Sequence, residues 1–150
     1  MAREETFTVE AVGVGRKDYS SGIENSVEPT IRSYQTVYSH FEEVTLTAGE
    51  DTEFDVAVTS GYVVMLYDFF ASIPKSHLLG LTVKAIQGAV EGFVIQKTGY
   101  GNIVEHIPKG FPFFETIRFI LHNYGDEDVI ALVSCVGIQT DEEHYYLTVG

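Results

Sequence analysis

The chain has 150 residues, 45% hydrophobic and 21% charged, the size and composition of one globular domain and not of a disordered or collagen-like chain. Twenty-two acidic against nine basic side chains give a formal net charge of −13, a sign that repels phosphate backbones and anionic headgroups and argues against nucleic-acid or membrane partners. The strongest apolar run, Tyr62 to Phe70, contains Asp68 and is far shorter than the roughly 18 apolar residues of a spanning helix. The N-terminal MAREETFTVE is charged where a secretory signal has an apolar stretch, so synthesis in a cytoplasm is expected. Cys135 cannot close an internal disulfide and reads as a small core hydrophobe.

In chain order, Phe7, Val9 and Ala11 alternate with Thr8 and Glu10, the period of a half-buried strand. Gly13 to Thr30 is rich in Gly, Ser, Asp and Asn, which assigns residues 1–30 to an extended N-terminal arm and residues 31–150 to the folded domain. Ser33 to Thr47 carries β-branched and aromatic residues at alternate places. AGED then turns the chain into Glu53 to Val58, a hairpin reading in which Phe54, Val56 and Val58 share a face. Tyr62 to Phe70 is apolar on both faces and is expected to be central and covered on both sides.

Beyond Pro74, Leu79, Leu81, Val83 and Ala85 alternate, and Gly88 and Gly92 bracket a link to the FVIQK strand. TGYGN turns into Ile103 to Ile107, and IPKG and Pro112 punctuate the chain again. Phe114 to Asn123 and Val129 to Gln139 are two long strands separated by YGDED. Roughly nine strands at this spacing, with no sustained helical period, predict an all-β antiparallel sandwich with jelly-roll-like wiring.

The chemistry-bearing residues form no motif. Five histidines (His40, His77, His106, His122, His144) invite a metal hypothesis, because imidazole is a common ligand. A barrel metal site places two ligands two residues apart on one strand, and the expectation is that none of the five has such a partner. Adjacent Glu105 and His106 point to opposite faces. The acids cluster in turns (Glu50-Asp51, Asp126 to Asp128, Asp141 to Glu143), where they solvate the surface. Asp68 and Glu115 stand apart, within or opening apolar strands, and are the acids nearest to a catalytic role. No nucleophile elbow, dinucleotide loop or phosphate loop occurs. No catalytic, cofactor-binding or metal residues are therefore assigned. Tyrosine enriches subunit interfaces and stacks on sugars, which makes Tyr34, Tyr38, Tyr100, Tyr145 and Tyr146 candidate interface or binding residues.

With FDVAVTSGYVVMLYDFF and TIRFILHNYGDEDVIALVSCVGI as alternating strands and residues 1–30 as an arm, the chain resembles the single jelly-roll structural proteins of viruses: capsid, head-decoration and spike subunits. The resemblance implies a subunit without enzymatic activity or cofactor that resides in the virion. It implies a homo-oligomer, a trimer foremost, packed on other capsid subunits. Two further readings stand beside it: a glycan-binding sandwich that uses tyrosines as stacking surfaces, and a cupin-like metal enzyme.

Overall fold

The computed structural model describes residues 32–149. Apart from the first residues of β1, the elements belong to the unit Val37–Gly150. The expected first strand and the arm over residues 1–30 lie outside the described residues. Eight strands and one helix follow in order: β1 (Gln35–Leu46), β2 (Asp51–Ala57), β3 (Tyr62–Ser72), β4 (Leu78–Gln87), β5 (Val90–Tyr100), β6 (Asn102–Phe113), β7 (Thr116–Asn123), β8 (Val129–Asp141) and α1 (Glu142–Val149). They form two four-stranded sheets, ordered β1-β8-β3-β6 and β2-β7-β4-β5. Successive strands change sheet at every connection except β4 to β5, which pair directly. This is the strand order of a jelly roll, two interleaved Greek keys.

That order corrects the hairpin reading of the first two strands. β1 and β2 lie in different sheets, because the turn between them is tied to other loops and closes no ladder. The Ala48 N–H donates to Asp128 Oδ1 at 2.9 Å, and the Gly49 N–H donates to the Asn123 carbonyl at 2.8 Å. Asn123 is fully buried and bonds in four directions. Its amide nitrogen donates to the carbonyls of Leu46 and Glu127, and its Oδ1 accepts from the Gly125 N–H and meets His77 Nε2. One side chain thus joins the β1–β2, β3–β4 and β7–β8 loops. Gly101, at φ 79°, turns the chain from β5 into β6 in one residue, a conformation that L side chains rarely adopt.

The core is set by alternation. β7 is buried at every second residue, with Ile117, Phe119 and Leu121 inward, and β4 likewise turns Leu79, Leu81 and Val83 inward. β3 departs from strict alternation: its register to both neighbours shifts between Leu66 and Asp68. A bulge at Tyr67 moves the inward set from Val64 and Leu66 to Phe69 and Ala71, since one extra residue reverses which side chains face in. Gly137 stands opposite Leu66, where a Cβ would collide with the Met65 carbonyl. β3 is an interior strand as expected. Its outer face, however, is covered only in part: Val63 is buried while Phe70 is exposed.

Two other expectations give way. The IPKG segment and Pro112 do not end a strand; β6 runs through them to Phe113. Among the described residues it is an edge strand, where a missing N–H costs no ladder bond on the open side. Residues 107–110 arch out opposite Tyr67 alone. Gly92 likewise lies within β5, not in a link. The second is the helix, which the sequence reading did not place. The Asp141 carboxylate accepts the His144 backbone N–H at 2.8 Å, an N-cap bond, and Glu142 and Glu143 occupy the first turn, where the helix dipole favours acids. The acidic cluster at this point is thus a helix start, and α1 lies against β3 and β8. No helix among the described residues is long and apolar enough to cross a membrane.

Candidate functional site

The titratable groups pair locally. His106 Nδ1 lies 2.7 Å from Asp68 Oδ1, and His122 Nδ1 lies 2.7 Å from Asp51 Oδ1. His144 Nδ1 lies 2.8 Å from both Asp141 oxygens. His40 Nε2 meets Glu42 Oε1 at 2.8 Å, so β1 does carry a His-x-Glu pair on one face, against the expectation from sequence. Among the described residues no group of three or more His, Cys, Asp or Glu side chains could hold a metal ion. Asp68 sits half-buried on the outer face of β3 and engages His106. Glu115 is exposed and accepts the Gly88 N–H at 2.7 Å, which anchors the β4–β5 turn. Cys135 is buried among core side chains, and burial pushes its thiol up to about 12.

The five tyrosines do not form one platform. Tyr34 lies in the turn that precedes β1. Tyr38 packs against the core, and burial raises its phenol above the usual tyrosine value, with Cys135 adding to the shift. Tyr100 is exposed at the end of β5. Tyr145 and Tyr146 meet each other, with ring centroids 5.3 Å apart, and both pack on Phe114 at 5.6 and 6.4 Å. Burial, then the neighbouring Tyr146, raises the Tyr145 phenol.

What the alternation does bring together is two contrasting outer faces. On the β1-β8-β3-β6 sheet, Val37 and Phe41 (β1), Ile130 and Leu132 (β8), Phe70 (β3) and Val104 (β6) are large apolar side chains open to solvent, with Phe41 65% and Val104 56% exposed. Phe70 stands opposite Val104 in the ladder, and Ser72 stands opposite Leu132, so the apolar residues are neighbours across β8, β3 and β6. The tyrosines do not mark this face. The available signal was VIALV in β8, where both alternating sets are apolar although one suffices for a core.

The outer face of the β2-β7-β4-β5 sheet is an ion-pair lattice. Arg118 forks onto Asp55, with Nε and Nη2 at 2.8 and 3.0 Å from its two oxygens, the bidentate geometry of a strong charge-assisted pair. It also reaches Glu53 at 3.2 Å and Glu91 at 3.5 Å. The guanidinium bond holds the Asp55 carboxyl below its ordinary value. Lys84 bonds Glu91 at 3.1 Å and lies 4.9 Å above the Phe93 ring. Beside this lattice is a groove of about 310 Å³ lined by Gly80, Thr82, Lys84, Phe93, Gln96, Thr98, Ile120, His122 and Tyr124, among others.

No family model matches the chain. No curated protein matches it either. Among solved structures, the chain is similar to the Yersinia pseudotuberculosis-derived mitogen at 7% identity and TM-score 0.45, over 67% of this chain and 86% of that one. PirA gives 11% identity and TM-score 0.45 over 65% and 93%. A chain in the structure of infectious bursal disease virus, Gx strain, gives 12% identity and TM-score 0.36 over 93% of this chain and 41% of that one.

Proposed function

We propose that the chain is a structural subunit that acts by self-association and does no chemistry of its own, of the capsid or head-decoration type that resides in a virion. The observation that carries this reading is the apolar outer face of the β1-β8-β3-β6 sheet. Monomeric proteins rarely leave large apolar patches open to water, and such patches mark contact sites. The occupant is a second copy of the chain. A molecule of net charge −13 repels itself at most of its surface, and this face is where acids are sparse: Glu43 on β1, and Asp68 on β3 already held by His106.

β1 adds to the case. Among the described residues it is an edge strand of twelve residues with no proline, lysine or arginine along QTVYSHFEEVTL, whereas edges kept from pairing are interrupted or charged with such residues. β6, the opposite edge, carries Pro108, Lys109 and Pro112. Assembly on the β1 side into a closed threefold ring would remove that edge from solvent. The other capsid subunits would meet the remaining surface, and its acidity suits an outward position away from nucleic acid.

Light scattering of the purified full chain at micromolar concentration tests the reading. The expected result is a mass that is a fixed multiple of one chain, three for the threefold ring. A single-chain mass across the whole concentration range overturns it.

A further inference from the structure

We propose that the groove on the outer face of the β2-β7-β4-β5 sheet is a binding site for a neutral saccharide. Its floor is two rungs of the ladder. Asp51, His122, Gly80 and Thr98 stand in line across the four strands, and Glu53, Ile120, Thr82 and Gln96 form the next line. The depression exists because Gly80 places no side chain between His122 and Thr98. A Cβ there would lie 3.3 Å from the Tyr124 ring and 3.4 Å from the His122 Cβ. Tyr124, 52% exposed, forms one wall and packs edge-on against His122 at 4.2 Å. Phe93, 66% exposed beneath Lys84, forms the other.

The chemistry of the lining selects the ligand. Thr82, Gln96 and Thr98 line the groove, and their side chains have no hydrogen-bond partner among the described residues. Together they offer two hydroxyls and a primary amide, which donate and accept at once. His122 Nδ1 is engaged by Asp51 at 2.7 Å, which leaves Nε2 as the one ring nitrogen open to a ligand. Mixed donors and acceptors flanked by two open aromatic rings match a pyranose, whose hydroxyls need both roles and whose C–H face stacks on a ring. The cations are already matched: Lys84 holds Glu91 at 3.1 Å and Lys97 holds Glu105 at 2.6 Å. An anionic ligand would therefore have to displace a carboxylate, against an overall charge of −13. The volume lies at the lower end of ligand pockets, about 300–1,000 Å³, which suits a mono- or disaccharide.

The experiment is an array of neutral, sialylated and sulfated oligosaccharides probed with the full chain, followed by titration calorimetry with the best neutral sugar. Saturable binding to neutral glycans is expected. Phe93→Ala and Gln96→Ala, both at exposed positions that leave the melting temperature in place, are each expected to weaken it by about tenfold, the effect of one lost stacking or hydrogen-bonding contact. Tyr146→Ala is expected to leave binding unchanged. Three outcomes overturn the proposal: no neutral saccharide bound at millimolar concentration, binding insensitive to both groove variants, or selectivity for sulfated glycans that disappears in Lys84→Ala. Because the readout is sugar binding and not mass, the result is independent of whether the opposite face self-associates.

Discussion

The two outer faces of the sandwich are made from the same alternation and end in opposite states. On the β2-β7-β4-β5 side nearly every charge has found a partner within its own sheet, Arg118 alone engaging Asp55, Glu53 and Glu91. On the β1-β8-β3-β6 side, Phe41, Phe70, Val104, Ile130 and Leu132 face water with nothing over them among the described residues. The charges of the first face are matched as they stand. The second leaves apolar area that yields about 25 cal/mol per Å² only when something covers it. The contrast teaches that in this fold the core does not distinguish the sheets. Self-association is to be sought on the face left apolar.

Charging the apolar face should have the strongest effect. Phe41→Glu with Phe70→Glu should weaken self-association by about a thousandfold, some 4 kcal/mol, because it buries unpaired like charges against their own copies. Sedimentation velocity should then find single chains with an unchanged circular dichroism spectrum. The equivalent change on the other face, Gln96→Glu, should leave the mass where it was.

Next in size, Asn123→Ala removes a buried amide that serves both sheets and leaves its backbone partners unsatisfied. A loss of about 3 kcal/mol in urea unfolding is expected. This variant lowers the stability of the fold without favouring either face, and so separates damage to the frame from damage to the contact.

Buried Cys135 supplies a pH test of the shared core. Its thiol titrates near 9 when unfolded and is pushed up to about 12 when folded. Between those values the unfolded state has lost a proton that the folded state keeps, so stability falls as pH rises, by about 1.4 kcal/mol per pH unit, and is unaffected below pH 9. The difference between wild type and Cys135→Ala in alkaline melts should carry that slope.

Smallest is Arg118→Ala on the ion-paired face, which should lower the melting temperature by only a few degrees at most because its partners are solvent-exposed. Asp55, held low by Arg118, contributes stability that is present above its unfolded value and lost as pH falls through its folded one. In the variant the acid-unfolding midpoint should therefore move to higher pH. The association mass should not change.

Much of the frame was legible because the period of two survives in the sequence. TIRFILHN reads as β7 without help, each second residue buried. β3 was legible as a strand but not in its facing, since the bulge at Tyr67 lets YVVMLYDFF look apolar on both sides when its inward set has changed parity. Pro108 and Pro112 mark a break by local rules, and only the edge position of β6, a property of the assembled sheet, makes them tolerable. α1 was hidden because Asp141 reads as one more surface acid until its carboxylate is seen on the His144 N–H. Neither face could be assembled from the chain alone: the groove takes its residues from four strands, and the apolar face takes its own from the other four.

Hydroxyl-radical footprinting of the full chain at its native assembly concentration, resolved by side chain, tests the central claim most directly. The account predicts that Phe41 and Phe70 are protected relative to the dissociated Phe41→Glu and Phe70→Glu single variants, each read at the phenylalanine it retains, while Phe93 and Tyr124 on the opposite face react equally in all three. Equal labelling of Phe41 and Phe70 in assembled and dissociated protein would contradict it.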